Sequence, residues 1–258
     1  MKRTLLLLTL LTALWAQSNF QYPPLYLVSI PTAGTLPKGS YTLELLLQNN
    51  GGILPKLGVG LTDHFTIGMS FGVQRFIGEE RTEVSKPTPE VQVKYRIFDE
   101  TESYPALVIG LDTQGRGDYN DEKGLNRYDQ KAWGVYLVSS KNWNLLGDFG
   151  LHLGISKNTW ENDDNDEDLD IFFGLDKALN RDFALMVEYD VALNDDQDTT
   201  NDLGDITFGK GQGYLNAGLR WVVAPNLMLE LNVNNVTLNH DRADYSNREV
   251  KIMYSASF

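Results

Sequence analysis

From residue 40 to the C-terminus the chain alternates apolar and polar positions with a period of two, the signature of strands with two unlike faces. In PEVQVKYRIF (89–98), Val91, Val93, Tyr95 and Ile97 fall on one side and Glu90, Gln92, Lys94 and Arg96 on the other. DFALMVEYDVALN (182–194) repeats the pattern, as do FTIGMSFGV (65–73), LGDFGLHLGIS (146–156) and LMLELNVN (227–234). No apolar pattern of helical period persists anywhere in this region. The alternation predicts about twelve strands. They start near Ser40, Ile53, Phe65, Pro89, Pro105, Lys131, Leu145, Leu169, Phe183, Gly213, Leu227 and Arg248. Most run about nine to twelve residues, the length that crosses a bilayer at a tilt.

The connections alternate too. Short turns at 62–64, 99–104, 140–144, 178–181 and 224–226 take turns with long polar loops at 76–86, 115–130, 158–168, 196–212 and 239–247. The stretch 49–52 is the exception, short where a long loop is expected. A meander with its tight turns at one end and its long loops at the other resembles a bacterial transmembrane barrel. The expected fold class is therefore all-β, an antiparallel up-and-down barrel of about twelve strands with tight periplasmic turns. A strand in lipid cannot leave an open edge, because each unpaired backbone group costs several kcal/mol, so the strands must close and turn their apolar faces outward. Tyr41, Phe65, Phe98, Tyr104, Trp143, Phe183, Trp221 and Phe258 all fall at the predicted periplasmic strand ends, the headgroup level that amphipathic rings prefer.

Composition narrows the setting. The formal net charge is −13 and there is no cysteine. Acidic surfaces repel nucleic acid, and no disulfide, cysteine-rich metal site or lipid-modified N-terminal Cys is available. Residues 1–18 read as a secretory signal peptide: Lys2 and Arg3 precede a short apolar run, and Ala16-Gln17-Ser18 fits a small-x-small cleavage pattern. Residues 19–38 are unlike the strands and are expected to lie in the periplasm or to tuck into the barrel as a plug. Residues 39–258 are the expected barrel.

The final strand, KIMYSASF, carries Ile252, Tyr254 and Phe258 at alternate positions. It resembles the C-terminal signal of outer-membrane barrels, which implies recognition by the barrel assembly machinery. YPALVIGLDTQG (104–115), YLVSSKNW (136–143) and LHLGISKN (151–158) are similar to stretches of YjbH-type outer-membrane proteins. That likeness implies an outer-membrane location and a link to exopolysaccharide production and export. The chain departs from that family in lacking a lipoprotein Cys and in being one barrel long.

Candidate chemistry sits mainly on the inward face. Glu44, Glu90, Asp112, Asp148, Asp170, Asp176, Glu188, Asp190 and Glu230 are expected to line the lumen with Lys56, Lys94, Arg96, His152, Arg220 and Lys251. Charges of both signs there either pair and close the barrel or line a wet channel, and the acidic excess predicts cation preference. His152, Ser156 and Asn158 hold the residue types of outer-membrane phospholipases, but the spacing and facing differ, so no catalytic residue is assigned. Asp164, Asp166 and Asp168 resemble the first half of a calcium loop, with Leu169 in place of the required Gly and Leu175 in place of the closing Glu. A solvated acidic loop accounts for them as well. Arg116-Gly117-Asp118 is an adhesion-like tripeptide on a long loop. No cofactor is expected.

The expected partners are outer-membrane lipid, lipopolysaccharide and the assembly machinery, with a small solute or polysaccharide as cargo. Three functions follow. The chain is a small porin-like channel or export accessory, a non-conducting structural or adhesion barrel, or a secreted soluble glycan-binding β-barrel. A soluble barrel would carry its large apolar residues inside.

Overall fold

A computed structural model describes residues 23–78, 82–86, 88–121, 125–144, 147–196, 208–240 and 243–258. The signal-peptide reading of residues 1–18 and the first residues of the 19–38 segment lie outside them. The strands are β1 (Ser40–Leu47), β2 (Ile53–Thr62), β3 (Phe65–Ser70), β4 (Val73–Gln74), β5 (Glu83–Val84), β6 (Glu90–Phe98), β7 (Ala106–Asp112) and β8 (Arg116–Asn120). They continue with β9 (Arg127–Gln130), β10 (Gly134–Asn144), β11 (Asp148–Lys157), β12 (Asp170–Ala178), β13 (Phe183–Asp190), β14 (Tyr214–Ala224), β15 (Leu227–Asn234) and β16 (Asn247–Ser257).

Twelve of them form the wall, each antiparallel to its neighbours: β1, β2, β3, β6, β7 and β10 to β16. The wall closes because β1 pairs with β2 on one side and with β16 on the other, Leu43 opposite Tyr254 and Leu45 opposite Ile252. Closure leaves no open edge among these strands, the condition for a sheet surrounded by lipid. The predicted strand starts agree with the observed ones to within about three residues; Leu145 itself lies outside the described residues. The largest displacement with a visible cause is at β10. Lys131 and Ala132 are drawn into the long-loop end by Asp164, Asp166 and Glu161, so the wall begins only at Gly134. The short pair β8–β9 folds inside a long loop, and β5, inside another, pairs with β4, which starts at the last residue of the predicted strand 65–73.

The faces are sorted as a membrane demands. Met69, Leu153 and Leu231 are at least half exposed, while Lys94, Glu230 and Lys251 on the other face are 1–2% exposed. This is the reverse of a soluble barrel, where apolar side chains fill the inside. Rings cluster where the tight turns are: Phe183 stacks on Trp221 with centroids 5.8 Å apart, Trp143 lies 6.1 Å from Phe149, and Phe65 lies 6.5 Å from Tyr95.

Phe258 sits at the closing seam. Its N–H donates to Gly39 O at 2.9 Å, the Gly39 N–H donates to Gly60 O at 2.9 Å, and its ring stacks on Tyr41 at 6.4 Å. Phe258 is 83% exposed, so within the protein it makes few contacts beyond that ring and the backbone bond. Deleting Phe258 should therefore cost the refolded protein only about 1 kcal/mol, one backbone hydrogen bond, while sharply lowering the amount assembled in cells. Comparing in-cell and in vitro yields of the heat-modifiable folded form checks this; equal yields in cells would remove the assembly role.

Candidate functional site

The lumen is built by the inward positions of all twelve wall strands. Glu44, Glu90, Lys94, Asp112, His152, Asp170, Glu188, Asp190, Arg220, Glu230 and Lys251 are buried there. Lys56, Arg96, Asp148 and Asp176 border its cavities. The strongest wall cluster is Glu230 on β15, held by Arg220 Nε at 2.7 Å and Lys251 Nζ at 3.0 Å from the two flanking strands. The cross-strand register produces it, since Glu230 is directly opposite both Arg220 and Lys251.

Residues 25–36 run through the middle of this lumen. Leu27, Val28, Ile30 and Leu36 are at most 1% exposed. Leu27, Val28 and Ile30, with Ala33, join an apolar patch of inward residues on four strands: Ala106 and Val108, Tyr136 and Val138, Phe172, and Met186. Gly174 is what admits them, because a Cβ there would stand 2.5 Å from Leu27 Cδ1 and 2.7 Å from Ile30 Cδ1. The segment doubles back on itself, with the Leu27 N–H donating to Ile30 O and the Thr32 N–H to Leu25 O.

Its backbone is satisfied by the wall. Glu188 accepts the N–H groups of Val28 at 2.9 Å, Ser29 at 2.8 Å and Ile30 at 3.1 Å. The same carboxylate accepts the Ser29 hydroxyl and, at 2.9 Å, Asn216 Nδ2. Cations take the carbonyls. Lys94 donates to Leu25 O and Thr32 O, Arg220 to Tyr26 O, and Lys251 to Val28 O, at 2.6, 2.8, 3.2 and 3.2 Å. Tyr26 donates its hydroxyl to Asp112 at 2.8 Å, and Lys56 and Lys94 stand 5.0 and 5.2 Å from its ring centre.

The segment divides the lumen. A chamber of about 560 Å³ opens at the tight-turn end and one of about 370 Å³ at the long-loop end. Beside the segment itself a void of about 20 Å³ remains, the scale of a single water. In the tight-turn chamber His152 Nδ1 lies 2.7 Å from Ser140 Oγ and Nε2 lies 2.9 Å from Asp176 Oδ1. Ser140 Oγ accepts the Ala33 N–H at 2.8 Å, and the trio works as a strut to the inserted segment. Ser156, the serine that the sequence pairs with His152, is buried with no hydrogen-bond partner for its hydroxyl, and Asn158 bonds to Ala132 O and Glu161 instead.

The acidic loop is not simply solvated. Asp164 sits between Arg127 at 2.6 Å and Lys131 at 2.8 Å, and Asp195 is 2.8 Å from the same guanidinium. Asp166 accepts the N–H groups of Asp168 and Asp196, while Asp168 is exposed. The three aspartates of the calcium-loop reading therefore do not converge, and no group of three metal-ligating side chains gathers among the described residues. Burial pushes the nearby Glu161 carboxyl above the usual glutamate range, against the pull of the Tyr128 and Ala132 amides. Arg116 of the adhesion-like tripeptide points inward, 3.0 Å from Glu249 and 3.0 Å from Val28 O.

No family model matches the chain, and no curated protein matches it. Among solved structures, the KdgM porin is 14% identical with a TM-score of 0.51, over 85% of this chain and 99% of that one. The NanC porin is 12% identical with a TM-score of 0.42, over 84% and 99%. An outer-membrane channel of Pseudomonas putida F1 is 14% identical with a TM-score of 0.42, over 86% and 97%. The likeness to the KdgM porin establishes the fold, a closed twelve-stranded antiparallel transmembrane β-barrel.

Proposed function

We propose that this chain is a narrow outer-membrane channel for small polar solutes, with residues 25–36 as its internal gate. The observation that carries the reading is the polar, charged lumen, with a chamber on each side of an inserted segment held by reversible polar contacts. A barrel built only as a scaffold needs no such chambers. The apolar outer face and the aromatic ring at the tight-turn end support an orientation with that end in the periplasm. The signal-peptide reading of residues 1–18 and the end of β16 support delivery by the secretory and barrel-assembly routes. The likeness of residues 104–115 to YjbH-type proteins supports envelope polysaccharide as a further cargo. The exposed Asp163, Glu167 and Asp168 are the carboxylates of the 158–168 loop left to meet lipopolysaccharide through shared divalent cations.

Carboxylates outnumber cationic groups along the wall, so openings should favour cations. The test is single-channel recording of the full chain in a planar bilayer under a salt gradient. The expected reversal potential has the sign of cation selectivity; anion selectivity overturns the selectivity, and silence at all voltages overturns the channel. The filled lumen favours one second reading, a non-conducting structural barrel, and silence is its expected result.

A further inference from the structure

Glu44 holds a charge that no neighbouring side chain neutralises by contact. It lies on the inward face of β1 and is 8% exposed. The other inward carboxylates of the wall are engaged. Glu90 meets Lys86, Asp190 meets Gln130, Asp170 accepts the Leu193 N–H and Asp148 accepts Asn144 Nδ2. Asp112, Asp176, Glu188 and Glu230 have the partners described above. Among the described residues, Glu44 has neither a hydrogen bond nor an ion pair. Lys251 feels its charge, but that ammonium is already held by Glu230 at 3.0 Å and by Val28 O at 3.2 Å. Lys56 is directly opposite Glu44 in the register of β1 and β2, and among the described residues it too lacks an ion pair. It reaches instead over the Tyr26 ring, 5.0 Å from the centre.

A carboxylate in this position needs water, because an uncompensated charge is costly to bury. Glu44, Lys56 and Lys251 border the void beside the inserted segment. Arg116 and Gln130 border both that void and the long-loop chamber, so the two adjoin. The other flank of the segment is different. There Leu27, Val28 and Ile30 press on Val108, Val138, Phe172 and Met186, an apolar contact that offers an ion nothing in place of its water. The segment has a dry flank against β7, β10, β12 and β13, and a wet flank against β16, β1 and β2.

We infer that Glu44 is the residue that selects ions at the level of the inserted segment, with Lys56 opposing it. This rests on the channel reading and names the pair that sets its selectivity. A free carboxylate on the wet flank attracts a passing cation and repels an anion, and a free ammonium across from it does the reverse. Charges bound in pairs act more weakly on an ion, since each partner cancels most of the other's field. The Tyr26 ring takes up part of the Lys56 charge, which leaves Glu44 the stronger of the two.

The experiment records the full chain in planar bilayers under a salt gradient, as the parent, Glu44→Gln, Glu44→Asp and Lys56→Met. Each is first shown to give the heat-modifiable folded form. Glu44→Gln is expected to lower the cation-to-anion permeability ratio roughly fivefold, the scale set by one unit charge several ångströms from an ion in water. Glu44→Asp keeps the charge and is expected to keep the ratio, and Lys56→Met is expected to raise it. A Glu44→Gln ratio equal to the parent's overturns the assignment and spares the channel, and so does Glu44→Asp behaving as Glu44→Gln does. If Glu44→Gln does not fold, Lys56→Met decides in its place, and an unchanged ratio there overturns the assignment. Silence of the parent and of every variant at all voltages sinks the channel and the assignment together.

Discussion

Replacing Glu188 with alanine is expected to turn a barrel that conducts rarely into one that conducts most of the time. The carboxylate on β13 holds three consecutive N–H groups of the inserted segment and the Ser29 hydroxyl. Hydrogen bonds to a charged group contribute about 1.5–3 kcal/mol each, and alanine leaves those N–H groups buried without an acceptor. A net shift of about 4 kcal/mol in favour of release is a roughly thousandfold change in the docked-to-released ratio. Glu188→Gln keeps the shape and one acceptor oxygen, so it should fall between alanine and the parent. Open probability in planar bilayers, with equal amounts of folded protein, reads the effect directly. Dwell times of Glu188→Ala indistinguishable from the parent would show that residues 25–36 are not held by this carboxylate.

The second large effect is on stability. Glu230→Leu removes the carboxylate between Arg220 and Lys251, both nearly buried, and leaves Glu44 as the counter-charge that acts on Lys251. Removing one partner of a buried ionic group typically costs about 3–5 kcal/mol, because the remaining charge is left uncompensated. The expected outcome is a lower urea midpoint for the barrel refolded in vesicles. Adding Lys251→Met to Glu230→Leu should recover part of the loss, since it removes one of the stranded cations. A midpoint equal to the parent's would mean that water in the lumen already screens all three groups.

The wall was legible in the sequence because its two faces differ. Where Lys94 alternates with Val93 and Tyr95, or Glu230 with Leu229 and Leu231, the period of two assigns each residue to lumen or lipid. Insertion of residues 19–38 as a plug was one of two expectations, but the seat of the inserted segment was not legible, for the same physical reason. In ALVIG (106–110), GVYLV (134–138) and IFFG (171–174) the inward positions are apolar or glycine as well, so the alternation falls silent and Val108, Val138 and Phe172 look like ordinary strand residues. An inward apolar patch on neighbouring strands of a lumen that is polar elsewhere needs an apolar partner, and among the described residues LYLVSI (25–30) supplies it. The acidic loop misled in the opposite way. Asp164 and Asp166 read as solvent-facing, but Arg127 and Lys131, more than thirty positions earlier, neutralise Asp164. Sequence distance hides such pairing. The Ser140–His152–Asp176 row was hidden by strand register, which no local pattern reveals.

The inserted segment also sets an order of events. Its hydrogen bonds reach Asp112 on β7, Ser140 on β10, Glu188 on β13, Arg220 on β14 and Lys251 on β16, up to 224 positions away along the chain. Residues 25–36 are made before any of these strands, yet they have no complete seat until the last one closes against β1. Contacts of such long sequence separation form late, because chain closure must come first. The earliest part of the barrel to be synthesised is therefore the final part to settle, and its docking marks the moment the wall is whole.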